Sequence, residues 1–223
     1  MNKIIVIAPH PDDETLGCGG ALLKHKSRGD EIHWLIVTTI NTSLGYPEDK
    51  IQKRAEEINR VSMAYDFSSV HQCEFQTTKL DTIPMTDLIQ KIAEIFKVIN
   101  PEVVYVPFKG DVHTDHGIVY NAVSSCMKWF RFQSVKRCLA YETLSETEFA
   151  IDPAGSAFRP NVFVDVTTFL ERKIEIMKMY AGEMGEHPFP RSETAIRSLA
   201  VLRGTTSGFN AAEAFMLLKE IVE

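Results

Sequence analysis

The sequence predicts an α/β fold: a three-layer α/β/α sandwich, Rossmann-like in plan, with a mostly parallel central sheet. Three observations predict it. Short apolar runs alternate with longer amphipathic segments, the pattern of βαβ units. The 223 residues suffice for one large domain with a substantial core. The composition, 44% hydrophobic and 24% charged, is that of an ordinary globular chain, with neither repeats nor low-complexity tracts.

Taken in order, a strand is expected over Ile4 to Ala8, a helix from about Gly19 to Arg28, a strand over Ile32 to Thr38 and a helix from about Asp49 to Tyr65. A weaker strand follows at Val70 to Phe75, then a helix from Met85 to Ile99 and a strand over Val103 to Val106. The pattern continues with a helix from Asp115 to Phe130 and a strand near Cys138 to Glu142. Beyond Leu144 come a turn-rich bridge, Asp152-Pro153-Ala154-Gly155-Ser156, a strand over Val162 to Val166, and helical segments to Glu223. Residues 1–223 are therefore expected to form one domain, with 1–145 as its core and 146–223 as a strand and helices completing it.

Charge and cysteines narrow the partners. A net charge of -6, from 30 acids against 24 bases, with no long basic run, argues against nucleic acid. The N-terminus carries too short an apolar run for a signal peptide, and no stretch is long enough to cross a bilayer, so a cytoplasmic protein is expected. Cys18, Cys73, Cys126 and Cys138 form no C-x-x-C pair and read as buried free thiols. Trp129, Phe130 and Phe132 read as core or subunit interface, with a sugar-stacking platform as the alternative.

Chemistry concentrates in two loops. Ala8-Pro9-His10-Pro11-Asp12-Asp13-Glu14 follows the first strand, and Lys109-Gly110-Asp111-Val112-His113-Thr114-Asp115-His116-Gly117 follows the strand beginning at Val103. Ligands of open parallel sheets bind beyond such strand ends, where the strand order reverses. That placement would gather His10, Asp12, Asp13, His113, Asp115 and His116. Two histidines and a carboxylate can hold a catalytic zinc or iron(II). Spacing alone separates neither Asp12 from Asp13 nor His113 from His116 as ligands. Capping of the following helix would use one acid and leave His10 unexplained. Gly17, Gly19 and Gly20 lack the G-x-G-x-x-G spacing of a phosphate loop and serve close approach of backbone to a ligand or partner helix.

These residues resemble the PIG-L/LmbE family of metal-dependent N-deacetylases. Pro9-His10-Pro11-Asp12-Asp13-Glu14 matches its (A/P)HPDDE motif and His113-Thr114-Asp115-His116 its HxDH motif. Weaker matches extend over nearly the whole chain, at Arg54, Tyr141-Glu142, Pro160 to Asp165, Lys173, Arg203-Gly204 and Ala212 to Phe215. The resemblance implies zinc, or Fe2+ or another divalent metal, on His10, Asp13 and His116, with Asp12 as general base. It assigns His113, as a protonated imidazole, to the oxyanion or the leaving group, and Asp115 to orienting a nearby histidine. Arg54 would contact substrate, against an ion pair with Glu56 or Glu57 on its own helix. Glu14 would support the loop backbone or a ligand.

The implied reaction is removal of an N-acetyl group from an N-acetylglucosamine-type amino sugar or glycoconjugate, releasing acetate, by a metal-activated water. A metal-dependent phosphoesterase and a non-catalytic sugar- or nucleotide-binding module are the competing readings. The resemblance also allows a homo-oligomer. Thr38-Thr39-Ile40-Asn41-Thr42-Ser43-Leu44-Gly45 departs from the Thr/Asp-Gly stretch usual in the family after the second strand.

Overall fold

A computed structural model of the chain describes residues 1–151 and 157–222. The expected bridge at Asp152 to Ser156 lies outside the described residues. The chain runs β1 (Lys3–Ala8), α1 (Asp13–Ser27), β2 (Glu31–Thr39), α2 (Glu48–Tyr65), β3 (Ser69–Gln76), α3 (Met85–Ile99), β4 (Val103–Pro107), α4 (Thr114–Ser125) and β5 (Arg137–Tyr141). It ends with β6 (Val162–Asp165), α5 (Leu170–Met177), α6 (Glu193–Ser207) and β7 (Ala212–Glu220). The seven strands form one sheet in the order β3-β2-β1-β4-β5-β7-β6. The first five pair in parallel, and β7 runs antiparallel to both β5 and β6.

Alternation along β1 builds both sides of the core. Ile4, Val6 and Ala8 pack with residues of α1, α2, α5 and α6, whereas Ile5 and Ile7 pack with residues of α3 and α4. The sheet is thus buried on both faces, which explains the continuous apolar runs of its central strands. All four cysteines are free and buried, as expected.

Three boundaries differ from expectation. Helix α1 begins at Asp13, six residues before Gly19, so the acidic motif forms its first turn. Its glycines are absorbed by packing: a Cβ on Gly17 would lie 2.2 Å from the Tyr141 ring, and one on Gly20 would lie 2.5 Å from Val166. The close approach they permit is to partner side chains. Helix α4 stops at Ser125 rather than Phe130. The chain turns there, and Phe132 packs edge-on against Phe96 of α3, ring centroids 5.5 Å apart.

The third difference is Ala212 to Glu220, a strand where helix was expected. Its Ala, Glu, Leu, Met and Lys favour helix locally. The open edge of β5 overrides them, because unpaired backbone donors and acceptors there are satisfied only by another strand.

Candidate metal centre

The order reversal falls between β1 and β4, which pair in parallel with Ile4 opposite Val103 and Val6 opposite Tyr105. Their following loops therefore lie side by side. Asp12 links β1 to α1, and His113 is the N-cap of α4, its Nδ1 accepting from the Asp115 backbone N–H at 3.2 Å. The two helix starts face one another, so residues a hundred positions apart meet at one point.

That point gathers one ligand atom each from His10, Asp13 and His116, all within 4.8 Å of one another. His10 Nδ1 and His116 Nε2 stand 3.2 and 3.3 Å from Asp13 Oδ2. The opposite nitrogen of each imidazole is held by a carboxylate. His10 Nε2 faces Asp115 Oδ2 at 3.1 Å, and His116 Nδ1 faces Asp111 Oδ2 at 2.8 Å. A proton on each outer nitrogen leaves the inner one free to bind a cation, the arrangement that orients histidine ligands in metal sites.

The donor set fits a dication on two observations. His116 Nε2 is buried with no hydrogen-bond partner, a cost that a cation would remove. Burial alone would also lower both imidazole pKa values, yet the surrounding carboxylates outweigh it. His10, bonded to Asp115 and Asp13, is raised to about 9; His116, facing Asp13 and Asp111, is raised to about 10. A field that favours two positive charges at one point favours a divalent ion there. A second set, His10, His113 and Asp115, is similarly close. In it Asp115 Oδ2 already accepts from the Thr78 backbone N–H at 2.8 Å and faces His10 Nε2, which makes the first set the better cradle.

Asp12 stands apart from Asp13. It is 5% exposed, and at φ 132°, ψ −28° it holds a backbone conformation rare outside glycine. Its side chain makes no helix-cap hydrogen bond, so capping does not explain it. Burial, then the charges of Asp13 and Glu183, raise its pKa well above the carboxylate range. Glu14 is fully buried and supports this backbone, accepting from the Asp12 N–H at 3.0 Å and the Tyr180 hydroxyl at 2.7 Å. Burial pushes its pKa up to about 7.

The surroundings of His113 favour its neutral form. Burial and the neighbouring His10 and His116 lower its pKa to about 4, and its Nδ1 is occupied as an acceptor. An Nδ1 that accepts a hydrogen bond leaves Nε2 as the nitrogen able to carry the ring proton.

A cavity of about 330 Å³ opens onto His10, Asp12, Asp13 and His113. Thr38 and Thr39 at the end of β2 and Ile40 just after it, all in the departing segment, line one wall, and Arg54 of α2 lines another. Arg54 makes the expected ion pair on its own helix, with Glu57 at 3.3 Å, while lining the cavity. It also donates to the Pro11 carbonyl at 3.0 Å and to Glu183. Arg191 completes this wall, 3.5 Å from Asp12 Oδ2 and 3.4 Å from Glu183 Oε2. Trp129 and Phe130 are exposed beyond the far end of α4, a helix of 12 residues or about 18 Å. They are no sugar platform for this cavity.

The sequence reading missed Asp111, Glu183 and Arg191. Asp111 stood in the quoted second motif without a role, and its offset of five from His116 bridges loop and helix, matching neither period. Glu183 and Arg191 come from the segment between α5 and α6, which carries no motif.

The chain matches, over residues 5–127, the family described as PIG-L, GlcNAc-PI de-N-acetylase. It belongs to that family. Both halves of the metal centre fall within the matched PIG-L region. Among curated relatives, a diacetylchitobiose deacetylase of Thermococcus kodakarensis is 23% identical over 233 residues, covering 99% of this chain and 85% of its own. Among solved structures, the conserved protein TT1542 of Thermus thermophilus superposes with a TM-score of 0.78 at 22% identity, covering 100% of this chain and 97% of that one. The 4-carboxy-2-hydroxymuconate hydratase of Pseudomonas putida also reaches 0.78, at 17% identity and 100% and 98% coverage. At such identities the superpositions carry the PIG-L fold alone. No helix among the described residues is long and apolar enough to cross a membrane.

Proposed function

We propose that the protein is a metal-dependent N-deacetylase that releases acetate from N-acetylglucosamine-type amino sugars or glycoconjugates. The observation that carries this reading is the pairing of a two-histidine, one-carboxylate cradle with a separate buried carboxylate, Asp12, in one cavity. Family membership and the deacetylase relative support it.

In this reading His10, Asp13 and His116 hold the cation, and zinc suits such a donor set with one position left open. The cation would polarise the amide carbonyl and acidify a bound water. Asp12, raised in pKa and carrying no capping duty, takes the proton of the attacking water. His113 offers Nε2–H as a neutral donor to the carbonyl oxygen as charge develops on it; losing such a donor typically costs about 3 kcal/mol of barrier. Asp12 then delivers its proton to the departing amine. Asp115 and Asp111 fix the tautomers of His10 and His116, and Arg54 meets the sugar.

The centre draws on the β1 and β4 loops, and its cavity wall on Glu183 and Arg191, so residues 1–223 act as one functional domain. The phosphoesterase reading has less support, since the two candidate ligand sets share His10 and Asp115 of the second is already engaged, and a phosphate would face Asp12 and Glu183. The hydratase shares the fold, so the decisive test is chemical. Zinc-loaded protein should release acetate from a panel of N-acetyl sugars and glycosides, without releasing phosphate from phosphomonoesters or hydrating unsaturated acids. Absence of acetate across the panel would refute the assignment.

A further inference from the structure

Glu183 occupies an unusual place for a surface-loop acid. It lies between two guanidinium groups, Arg54 from α2 and Arg191 from the segment before α6, and all three line the cavity. Arg191 also reaches back to Asp12 Oδ2 at 3.5 Å. The carboxylates of Asp12 and Glu183 therefore stand one guanidinium apart. An amide held at Asp12 would bring the rest of the same sugar ring against Glu183.

Each carboxylate oxygen accepts about two hydrogen bonds. One arginine faces each oxygen of Glu183, so each keeps an accepting site. Two adjacent acceptors flanked by fixed donors match a pair of neighbouring hydroxyls, each giving its proton to one oxygen and accepting from a guanidinium. They match an anion poorly. Glu183 and Glu57 together offset the two arginine charges, and a phosphate or carboxylate at this wall would meet the repulsion of Glu183. The cavity, about 330 Å³, is on the scale of a small-molecule site.

We propose that Glu183, braced by Arg54 and Arg191, determines specificity by reading a vicinal hydroxyl pair on an uncharged amino-sugar ring. This deepens the deacetylase reading and rests on it for the position of the amide. The sequence marks only Arg54 of it, because Glu183 lies 129 residues from Arg54.

The test measures binding and turnover separately, on zinc-loaded protein, with N-acetylglucosamine, its 3-deoxy and 4-deoxy analogues and its 6-phosphate. Calorimetric Kd values should weaken about 10- to 100-fold when a read hydroxyl is removed, the range of a hydrogen bond to a charged group. Glu183→Gln should weaken binding of the parent sugar by a similar factor and lose most of the discrimination between parent and deoxy analogue. Its zinc content should stay unchanged. Glu183→Asp, which keeps the charge on a shorter arm, should recover part of the discrimination and serves if the glutamine variant folds poorly. Undiminished discrimination in Glu183→Gln, or tighter binding of the 6-phosphate than of the neutral sugar by the wild type, would overturn the proposal. Glu183-dependent binding without acetate release would overturn the deacetylase reading alone. Absence of binding by every sugar would overturn both.

Discussion

Asp111 accepts from the Thr147 hydroxyl at 2.6 Å through Oδ1 and faces His116 Nδ1 at 2.8 Å through Oδ2. It sets which nitrogen of His116 turns toward Asp13. Removing such an outer partner commonly costs 10- to 100-fold in metal affinity. Asp111→Asn should therefore weaken zinc binding by about that factor while leaving the fold intact, as read by competition with a chromogenic chelator and by circular dichroism. Unchanged affinity would show that His116 is oriented by other contacts. At this scale the two loop motifs made His10, Asp13 and His116 legible as candidates. Of their outer partners, Asp115 was assigned through the family resemblance and faces His10, whereas Asp111 was not, because a carboxylate facing an imidazole across a turn leaves no sequence period.

The element on which the centre depends is α1, and a buried ion pair enters its backbone ladder. Lys173 Nζ of α5 donates to the Leu16 carbonyl at 2.8 Å and to Glu213 Oε1 of β7 at 2.7 Å. Glu213 in turn accepts from the backbone N–H groups of Gly20 and Ala21, both at 2.7 Å. The last third of the chain thereby fixes the helix whose first turn carries Asp13. Breaking a buried pair by removing one partner strands the other charge, at about 3–5 kcal/mol. Lys173→Met should lower unfolding stability by about that much, and Lys173→Met with Glu213→Gln by clearly less, measured by urea denaturation. Equal losses would mean that the charge of Glu213 costs nothing when unpaired. Helix α3 was legible to the residue, its apolar period unbroken from Leu88 to Ile99, whereas α1 and β7 were not. Their glycines and helix-forming residues mislead locally, since Tyr141, Val166 and the β5 edge decide the outcome.

For the molecule as a whole, the alternation of strands and helices fixes which loops meet: once β1 and β4 are neighbours, the two motifs must be. The histidines outside the centre have a different consequence. Burial lowers the pKa of His25, His33 and His71 below the usual imidazole value. His25 lies between Asp30, at 2.8 Å, and the Tyr105 hydroxyl, at 3.0 Å. A folded-state pKa below the unfolded value of about 6.5 means that the unfolded chain binds more protons as pH falls past it. Their contribution to stability is full above that pH and lost on descending toward the folded pKa. Glu14, raised to about 7, acts with the opposite sign over the same range in the wild type and in His25→Asn alike, so the difference between the two is what counts. From about pH 7 to 5 the Tm of His25→Asn should shift less toward destabilisation than that of the wild type; an identical pH dependence would place the histidine sensitivity elsewhere. The His10 and His116 pair, raised rather than lowered, acts with the opposite sign and is best held constant by saturating zinc.

The account's centre is the division of labour between adjacent acids, Asp13 on the cation and Asp12 on the water. Zinc content and acetate release measured side by side on Asp12→Asn test it most directly. The variant should keep one zinc per chain as tightly as the wild type and lose about 100-fold or more in kcat, the scale of a missing general base. Wild-type turnover in that variant, or loss of its zinc, would contradict the account.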